Sequence, residues 1–76
     1  MTKLMAKSKR LNQGDRVVYS GRLTPYIGQT AQVAVYWLQG LCRGRYQIIF
    51  EAPVYDVDGV ELCEYLTVAP EDIQVL

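Results

Sequence analysis

The carboxylates of the C-terminal third are the side chains of this sequence that could perform acid–base chemistry. Four of them surround an Asp-Gly pair: Asp56, Asp58, Glu61 and Glu64. The chain contains no histidine, which excludes imidazole bases, histidine-containing triads and Cys/His zinc sites. A calcium loop would need more oxygen ligands at a different spacing. We therefore interpret the four acids as a solvated turn and expect no catalytic residue, no metal site, no cofactor and no enzymatic activity.

Two cysteines, Cys42 and Cys63, are the only candidate thiol nucleophiles, and they form no Cys-x-x-Cys pattern. No stretch of about 18 apolar residues is present, so we predict no membrane span. The basic N-terminus is not followed by an apolar segment, so we predict no signal peptide and expect a cytoplasmic protein. Thiols stay reduced in the cytoplasm, which favours two small, half-buried side chains. A disulfide between them remains an open alternative.

Basic and acidic residues are unevenly distributed along a chain whose formal net charge is zero. All the lysines and arginines lie in residues 1–50, with Asp15 as the one acid there, whereas residues 51–76 carry seven acids and no base. Basic groups could neutralise phosphates of RNA or DNA, beside a stacking platform of Tyr19, Tyr36 and Trp37. A net charge of zero argues instead for a solvated surface and a solubilising arm. The candidate nucleic-acid residues, beside Tyr19, are Lys3, Lys7, Lys9, Arg10, Arg22, Arg43 and Arg45.

The elements that would position these groups are short strands. The 76 residues permit one domain, which we divide into a flexible basic arm (1–11) and a small β-barrel domain (12–76). Apolar alternation between Gly- and Pro-rich turns predicts strands at residues 16–20, 29–38, 45–51, 60–68 and 73–76. The segment "APED" (69–72) predicts a single 3₁₀ turn, and no helix of two turns is expected. Five short strands with a turn about every ten residues indicate an all-β, five-stranded small barrel.

One hairpin has a strong local signal. Asp58 and Gly59 lie between Val57 and Val60. Because both central residues of a type I′ turn need positive φ, Asp-Gly pairs favour it. We therefore predict a two-residue hairpin at this point.

The second strand, "VAVYWL", is apolar on both faces. Strict alternation would place Ala34, Tyr36 and Leu38 on one face and Val33, Val35 and Trp37 on the other. A strand with one buried face normally alternates apolar and polar residues. Either the barrel covers this strand unusually well, or one of its faces packs against a second chain. We predict the second case, with a protein interface at Ala34, Tyr36, Trp37 and Leu38 in a homo-oligomer or with another protein.

A loop of unusual glycine spacing, "GRLTPYIGQTAQV" (21–33), follows the first predicted strand. The segment resembles the KOW motif of NusG-type transcription elongation factors and of several ribosomal proteins, over about residues 14–33. The resemblance implies a Src-homology-3-like barrel, with Gly21 and Gly28 as loop glycines, Leu23 and Tyr26 as packed loop residues and Val33 in the second strand. Independently of the family, a tight loop needs glycine where φ is positive or where chain segments approach closely. We expect Leu23 and Tyr26 to cover the core.

Two further functions follow from resemblance. KOW-bearing proteins imply contact with RNA, the ribosome or a transcription complex, which is our alternative to a protein-binding module. The "GDRV" segment (14–17) is similar to the start of type II dihydrofolate reductases, which build an active site from a Val-Gln-Ile-Tyr segment in a tetramer pore. This chain has "YQII" at 46–49, so an oligomeric pore enzyme ranks third. We predict a non-enzymatic module that acts through protein–protein contact and binds no membrane.

Overall fold

The structure, a computed structural model, describes residues 10–76. Most of the predicted basic arm, with Lys3, Lys7 and Lys9, therefore lies outside the described residues. The strands are β1 (Arg16–Tyr19), β2 (Thr30–Tyr36), β3 (Tyr46–Phe50), β4 (Tyr65–Val68) and β5 (Ile73–Val75). Two 3₁₀ helices, Thr24–Tyr26 and Pro70–Asp72, complete the described part of the chain, in which no α-helix occurs. The prediction of an all-β chain with five strands and a 3₁₀ turn before the last one is confirmed.

All five strands belong to one antiparallel sheet, in the order β4-β3-β2-β1-β5. β4 and β5 are its two edges, and no hydrogen bonds join them. The 3₁₀ helix Pro70–Asp72 connects these edges, and Ser20 N–H donates to the Asp72 carbonyl at its end (2.7 Å).

The hydrophobic core lies on one face of this sheet. Val17 in β1 and Ile48 in β3 have no exposed surface, and Val68 of the edge strand β4 belongs to the same cluster. Two loop residues, Tyr26 and Val54, complete the core. Because residues 10–76 supply no second layer of secondary structure, the sheet and its loops enclose these side chains themselves.

A β-bulge in β2 changes which side chains face the core. Val33 pairs with Ile48 and Val35 pairs with Gln47, so Ala34 between them has no partner in β3. Tyr36 consequently returns to the core face opposite Tyr46, and their ring centroids lie 4.7 Å apart. The prediction that Ala34, Tyr36 and Leu38 share one outward face is therefore wrong for Tyr36. The bulge thus gives a reason within the chain for apolar residues at successive positions.

The predicted type I′ hairpin at Asp58 and Gly59 is also wrong. Among residues 10–76 only glycines have positive φ, and Gly59 is one of them (φ 82°). Asp56 N–H donates to the Val60 carbonyl (3.0 Å), which closes a three-residue loop over 57–59. The Asp56 carboxylate accepts from the backbone N–H groups of Asp58 (2.8 Å) and Val60 (3.0 Å). These hydrogen bonds to the Asp56 side chain start the loop at residue 57, one residue earlier than predicted. Only Gly59 then needs positive φ.

The strand predicted for residues 60–68 begins only at Tyr65. Residues 51–64 instead form a long connection between β3 and β4, in which a single bridge pairs Tyr55 with Glu61. Pro53 cannot donate a ladder hydrogen bond, which shortens regular pairing on the β3 side of this connection.

Candidate binding surfaces

The loop between β1 and β2 depends on both glycines of the KOW-like segment, for different reasons. Gly28 has φ +83°, and its N–H donates to the Tyr19 carbonyl (2.9 Å). Gly21 has no positive φ, but a Cβ there would overlap the hydroxyl and ring of Tyr19. The expectation that this loop needs glycine for positive φ or close approach therefore agrees with the geometry at each position.

Tyr26 fixes this loop to the connection between β3 and β4. Its ring is buried, and its hydroxyl donates to the Cys63 carbonyl (2.8 Å). Burial, with a smaller contribution from the Cys63 thiol, raises the pKa of the Tyr26 hydroxyl above its ordinary value. Leu23, by contrast, is half exposed. Only one of the two residues expected to cover the core is buried in it.

The predicted stacking platform of Tyr19, Tyr36 and Trp37 is not assembled. Tyr19 is 3% exposed and packs edge-on against Tyr26 and Phe50, with centroid separations of 6.2 and 6.4 Å. Its ring has no face to offer to a base. Tyr36 packs against Tyr46 on the core side of β2. The core thus removes the Tyr19 ring from solvent, and the bulge leaves Tyr36 half-buried on the core side.

The turn between β2 and β3, residues 37–45, has an apolar and basic surface. Trp37 N–H donates to the Arg45 carbonyl (3.0 Å), and Gly44 N–H donates back to the Trp37 carbonyl (2.9 Å), so the turn is closed at its base. Its exposed side chains are uncommon for a solvated loop. We call this set the turn surface: Trp37, Leu38, Leu41, Arg43 and Arg45.

Exposure of the turn surface is greatest at its tip. Leu41 is fully exposed (105%), Leu38 is 66% exposed and the Trp37 indole is 36% exposed. Residues 37–45 contain no acidic residue, so the arginine charges are not neutralised within the turn. Beside it, the Arg10 guanidinium lies 5.1 Å from the centroid of Tyr36 and adds a third cation. The arrangement offers apolar area and positive charge to the same ligand.

A groove of about 450 Å³ brings Arg22 and Arg45 together along the free edge of β4. Leu66 lies on its wall, and Glu71 and Asp72 of the second 3₁₀ helix line the same groove. The two arginines therefore face a surface of mixed charge. This composition does not favour a phosphate backbone as ligand.

On the face of the sheet opposite the core, Arg16 and Glu51 form a two-point ion pair. Arg16 Nε donates to Glu51 Oε2 (2.9 Å) and Nη2 donates to Oε1 (3.0 Å), while the Gln32 amide adds a longer bond at 3.3 Å. The hydrogen bond from Arg16 is the main cause that lowers the pKa of Glu51, and Glu51 in turn raises the pKa of Arg16. Ala34, one of the predicted interface residues, is half-buried beside these groups in a shallow groove of about 370 Å³.

The connection between β3 and β4 carries a second exposed apolar set, which sequence reasoning missed. Val57 is 97% exposed, and Tyr55 and Val60 are more than half exposed. They alternate with four acids, and residues 51–64 contain no base. We call residues 54–64 the acidic loop. The signal is present in the sequence as apolar residues interleaved with the acids.

Within residues 10–76 no three His, Cys, Asp or Glu side chains are grouped so that they could hold a metal ion. Cys42 and Cys63 are both free, the first half-buried and the second exposed. No helix in this part of the chain is long and apolar enough to cross a membrane.

Comparisons with protein-family models, with curated proteins and with solved structures found no match to this chain. Inference about its function therefore rests on the chemistry of its own surfaces.

Proposed function

We propose that residues 12–76 form a small barrel of the Src-homology-3-like type. The strand order β4-β3-β2-β1-β5 and the 3₁₀ helix immediately before β5 support this proposal. So does the single core, to which β1, β2, β3 and β4 all contribute buried side chains. A sheet that encloses its own core leaves its loops as the places where ligands bind.

We infer that the protein is a non-enzymatic binding module that takes a protein partner on the turn surface. The observation that carries this inference is the exposure of Trp37, Leu38 and Leu41 in a turn that also contains Arg43 and Arg45 and has no acid within its own residues. Trp and Arg are the residue types most enriched among the residues that dominate binding energy at protein interfaces. Leucines exposed in a contiguous set contribute free energy only when a partner covers them. A complementary partner would offer apolar side chains together with carboxylates.

A protein ligand fits this surface better than a nucleic acid. Leu38 and Leu41 offer neither hydrogen bonds nor charge to a phosphate, and they occupy the tip of the turn. The ring of Tyr19 is buried, and Arg22 and Arg45 share their groove with Glu71 and Asp72. Phosphate binding depends on clustered, uncompensated cations. Nucleic-acid binding is therefore the alternative function, and a salt titration distinguishes it from protein binding.

Photo-crosslinking from the tip of the turn tests the proposed function. Leu41 would be replaced by benzoylphenylalanine in the full chain, in the cells that make the protein, with Gln74 of β5 replaced as the matched exposed control. We expect one defined protein adduct from position 41 and none from position 74. Adding Trp37→Ala and Leu38→Ser should remove that adduct. The same adduct pattern from both positions, or no protein adduct from position 41, would overturn the proposal.

A salt titration separates protein from nucleic-acid binding. The purified chain would be mixed with a fluorescent 20-nucleotide polyuridine RNA at increasing salt. We expect no saturable binding, because the turn has only two arginines and Arg45 shares its groove with Glu71 and Asp72. Tight binding that falls steeply with salt and disappears with Arg43→Glu/Arg45→Glu would instead assign the turn to nucleic acid.

A further inference from the structure

The turn surface and the acidic loop have complementary chemistry. Each carries three exposed apolar side chains: Trp37, Leu38 and Leu41 in the turn, and Tyr55, Val57 and Val60 in the loop. The turn is basic without acids, and the loop is acidic without bases. Together the two segments hold half of the large apolar side chains that are exposed within residues 10–76.

Within one copy these two surfaces are kept apart by β3. The turn ends where β3 begins at Tyr46, and the acidic connection starts after β3 ends at Phe50. A five-residue strand spans about 17 Å, so the two surfaces lie at opposite ends of it. The turn surface therefore faces solvent in the direction opposite to the acidic loop.

Most carboxylates of the acidic loop have no cationic partner in the described part of the chain. The ion pair found within residues 10–76 joins Arg16 to Glu51, outside the loop. The Asp56 carboxylate is engaged by backbone N–H groups of its own turn. Asp58, Glu61 and Glu64 are exposed and make no ion pair with any residue in 10–76. Among residues 10–76, therefore, no cation forms an ion pair with these three carboxylates.

We propose that the protein associates head to tail with copies of itself, the turn surface of one copy docking on the acidic loop of the next. This inference rests on the proposed function and names the partner of the turn surface as a second copy of this chain. The contact is heterologous, since different surfaces meet, and a bound pair of copies leaves one free turn and one free loop. Repeating it gives a closed ring or an extended filament.

Charge decides between this arrangement and a symmetric dimer. If two turns met, Arg43 and Arg45 of each copy would face the same arginines, and two acidic loops would likewise bring carboxylates together. Like charges that face each other in an interface are destabilising, whereas complementary potentials raise the association rate and fix the orientation. The exposed apolar residues of both surfaces would be buried in the same contact. Their removal from water stabilises the complex without fixing its orientation.

Reversing the charge of one end at a time tests the orientation directly. One variant carries Arg43→Glu/Arg45→Glu, the other Asp58→Lys/Glu61→Lys, and Gln74→Glu is the matched charge-changing control on β5. Sedimentation velocity over a concentration series would be run on each variant and on a 1:1 mixture of the two.

Wild type and the Gln74→Glu control should show a mass that rises with protein concentration. Each end-reversed variant should associate at least ~10-fold more weakly with itself, a loss of about 1.4 kcal/mol. Their mixture should associate again, because the unaltered loop of the first variant meets the unaltered turn of the second. The two reversed surfaces are also complementary in charge, so assembly in the mixture can continue beyond a dimer. A monomeric wild type, undiminished self-association of either variant, or a mixture without dimer would overturn the proposal.

Variants without charge reversal guard against loss of folding. Leu41 and Val57 are almost fully exposed, so Leu41→Ser and Val57→Ser should leave thermal unfolding unchanged. Each substitution should still weaken self-association of the full chain. In a mixture of the two variants, the unaltered loop of Leu41→Ser should bind the unaltered turn of Val57→Ser with wild-type strength. Unchanged association in both variants would count against head-to-tail docking.

The cysteines report the orientation independently, because Cys42 lies in the turn and Cys63 lies in the acidic loop. A short bismaleimide should crosslink wild type between copies. Neither Cys42→Ser nor Cys63→Ser should crosslink alone, whereas their mixture should give dimers. Crosslinking of either single variant would indicate a symmetric contact and overturn the proposal.

The photo-crosslinking at position 41 separates the two levels of inference. An adduct with this same chain supports both of them. An adduct with a different protein contradicts self-association and leaves the binding function in place. No protein adduct contradicts both.

Discussion

Single residues determine the loop between β1 and β2. Gly28 supplies a positive φ, Gly21 leaves room for the Tyr19 ring, and the Tyr26 hydroxyl fastens the loop to the Cys63 carbonyl. These contacts hold Tyr26 in the core although the loop itself is at the surface. Two predictions concern them.

Replacing Gly28 by valine should destabilise the domain by more than roughly 1 kcal/mol, the size typical of single substitutions. A Cβ at this position has open space, with no atom within 4 Å, so the loss comes from the backbone. A β-branched residue at φ +83° is strained, whereas asparagine tolerates this region better. Urea denaturation should therefore rank stability as wild type, then Gly28→Asn, then Gly28→Val. Equal losses for Asn and Val would refute a φ-based cause.

Replacing Tyr26 by phenylalanine should cost about 1 kcal/mol at pH 7, since it leaves the Cys63 carbonyl without its donor. The pKa of Tyr26 is raised in the folded protein, so its stabilising contribution is fully present below its ordinary pKa and is lost as the pH rises through the raised one. The stability difference between wild type and variant should therefore narrow above about pH 10.

Urea denaturation at several pH values checks this expectation. Cys63→Ser is the matched control, because it keeps the carbonyl that accepts the hydrogen bond. A difference between wild type and Tyr26→Phe that is independent of pH would contradict the assigned cause.

At the scale of elements, the bulge in β2 determines which residues face the core. Ala34 is the extra residue, and its presence puts Val35 opposite Gln47 and returns Tyr36 to the core face. Bulges bend a strand and increase its twist, which a sheet that encloses its own core requires.

Deleting Ala34 should be tolerated better than deleting Gln32. Without Ala34, regular alternation still places Val33 and Tyr36 on the core face with Val35 outward, so we expect a folded protein with lower stability. Deleting Gln32, which pairs regularly with Ile49, reverses the faces of the residues on one side of it. Far-UV circular dichroism and thermal unfolding should show a cooperative transition for the first deletion and none for the second. Equal behaviour of the two deletions would count against the bulge as the determinant of facing.

At the scale of the whole molecule, the fold separates residues that support the core from residues available to a partner. Tyr36 belongs to the first group because its ring packs on Tyr46, and Leu41 belongs to the second because it is fully exposed. A test of association therefore has to be made on the turn and not at the middle of β2.

Tyr36→Asp and Leu41→Asp should have opposite effects. The first places a carboxylate against a packed ring and should lower stability by about 2 kcal/mol or more. The second should change stability by less than about 0.5 kcal/mol, as is usual for an exposed position, and should abolish association. Deleting residues 1–9 should leave association unchanged, because both docking surfaces lie within residues 37–64.

Thermal unfolding and sedimentation of the three proteins decide these points. Association that survives Leu41→Asp, or that is lost on deletion of residues 1–9, would contradict the placement of the interface.

The parts of the fold that were predictable are those that depend on neighbouring residues. Pro70 followed by two acids indicated the 3₁₀ helix before β5, and Gly28 was identified as a position for positive φ. The start of β4 at Tyr65 was not predictable from neighbouring residues, because residues 60–64 have the alternation of a strand. They do not pair regularly because the segment opposite them contains Pro53, which cannot donate a ladder hydrogen bond. Of the residues in the two proposed docking surfaces, Trp37 and Leu38 were predicted from the sequence as interface residues, whereas Leu41 and the apolar residues of the acidic loop were not.

The sequence by itself determined which five segments contain strands, because apolar alternation, glycine φ and proline act within a few residues. It also determined the separation of basic and acidic residues along the chain. Only the tertiary structure decided which side chains reach a partner. Which face of the sheet Tyr36 lies on depends on the bulge, which forms where β2 pairs with β3. The burial of Tyr19 depends on the rings of Tyr26 and Phe50, which come from two other segments. The opposed placement of the turn surface and the acidic loop likewise follows from the direction of one packed strand, β3, between them.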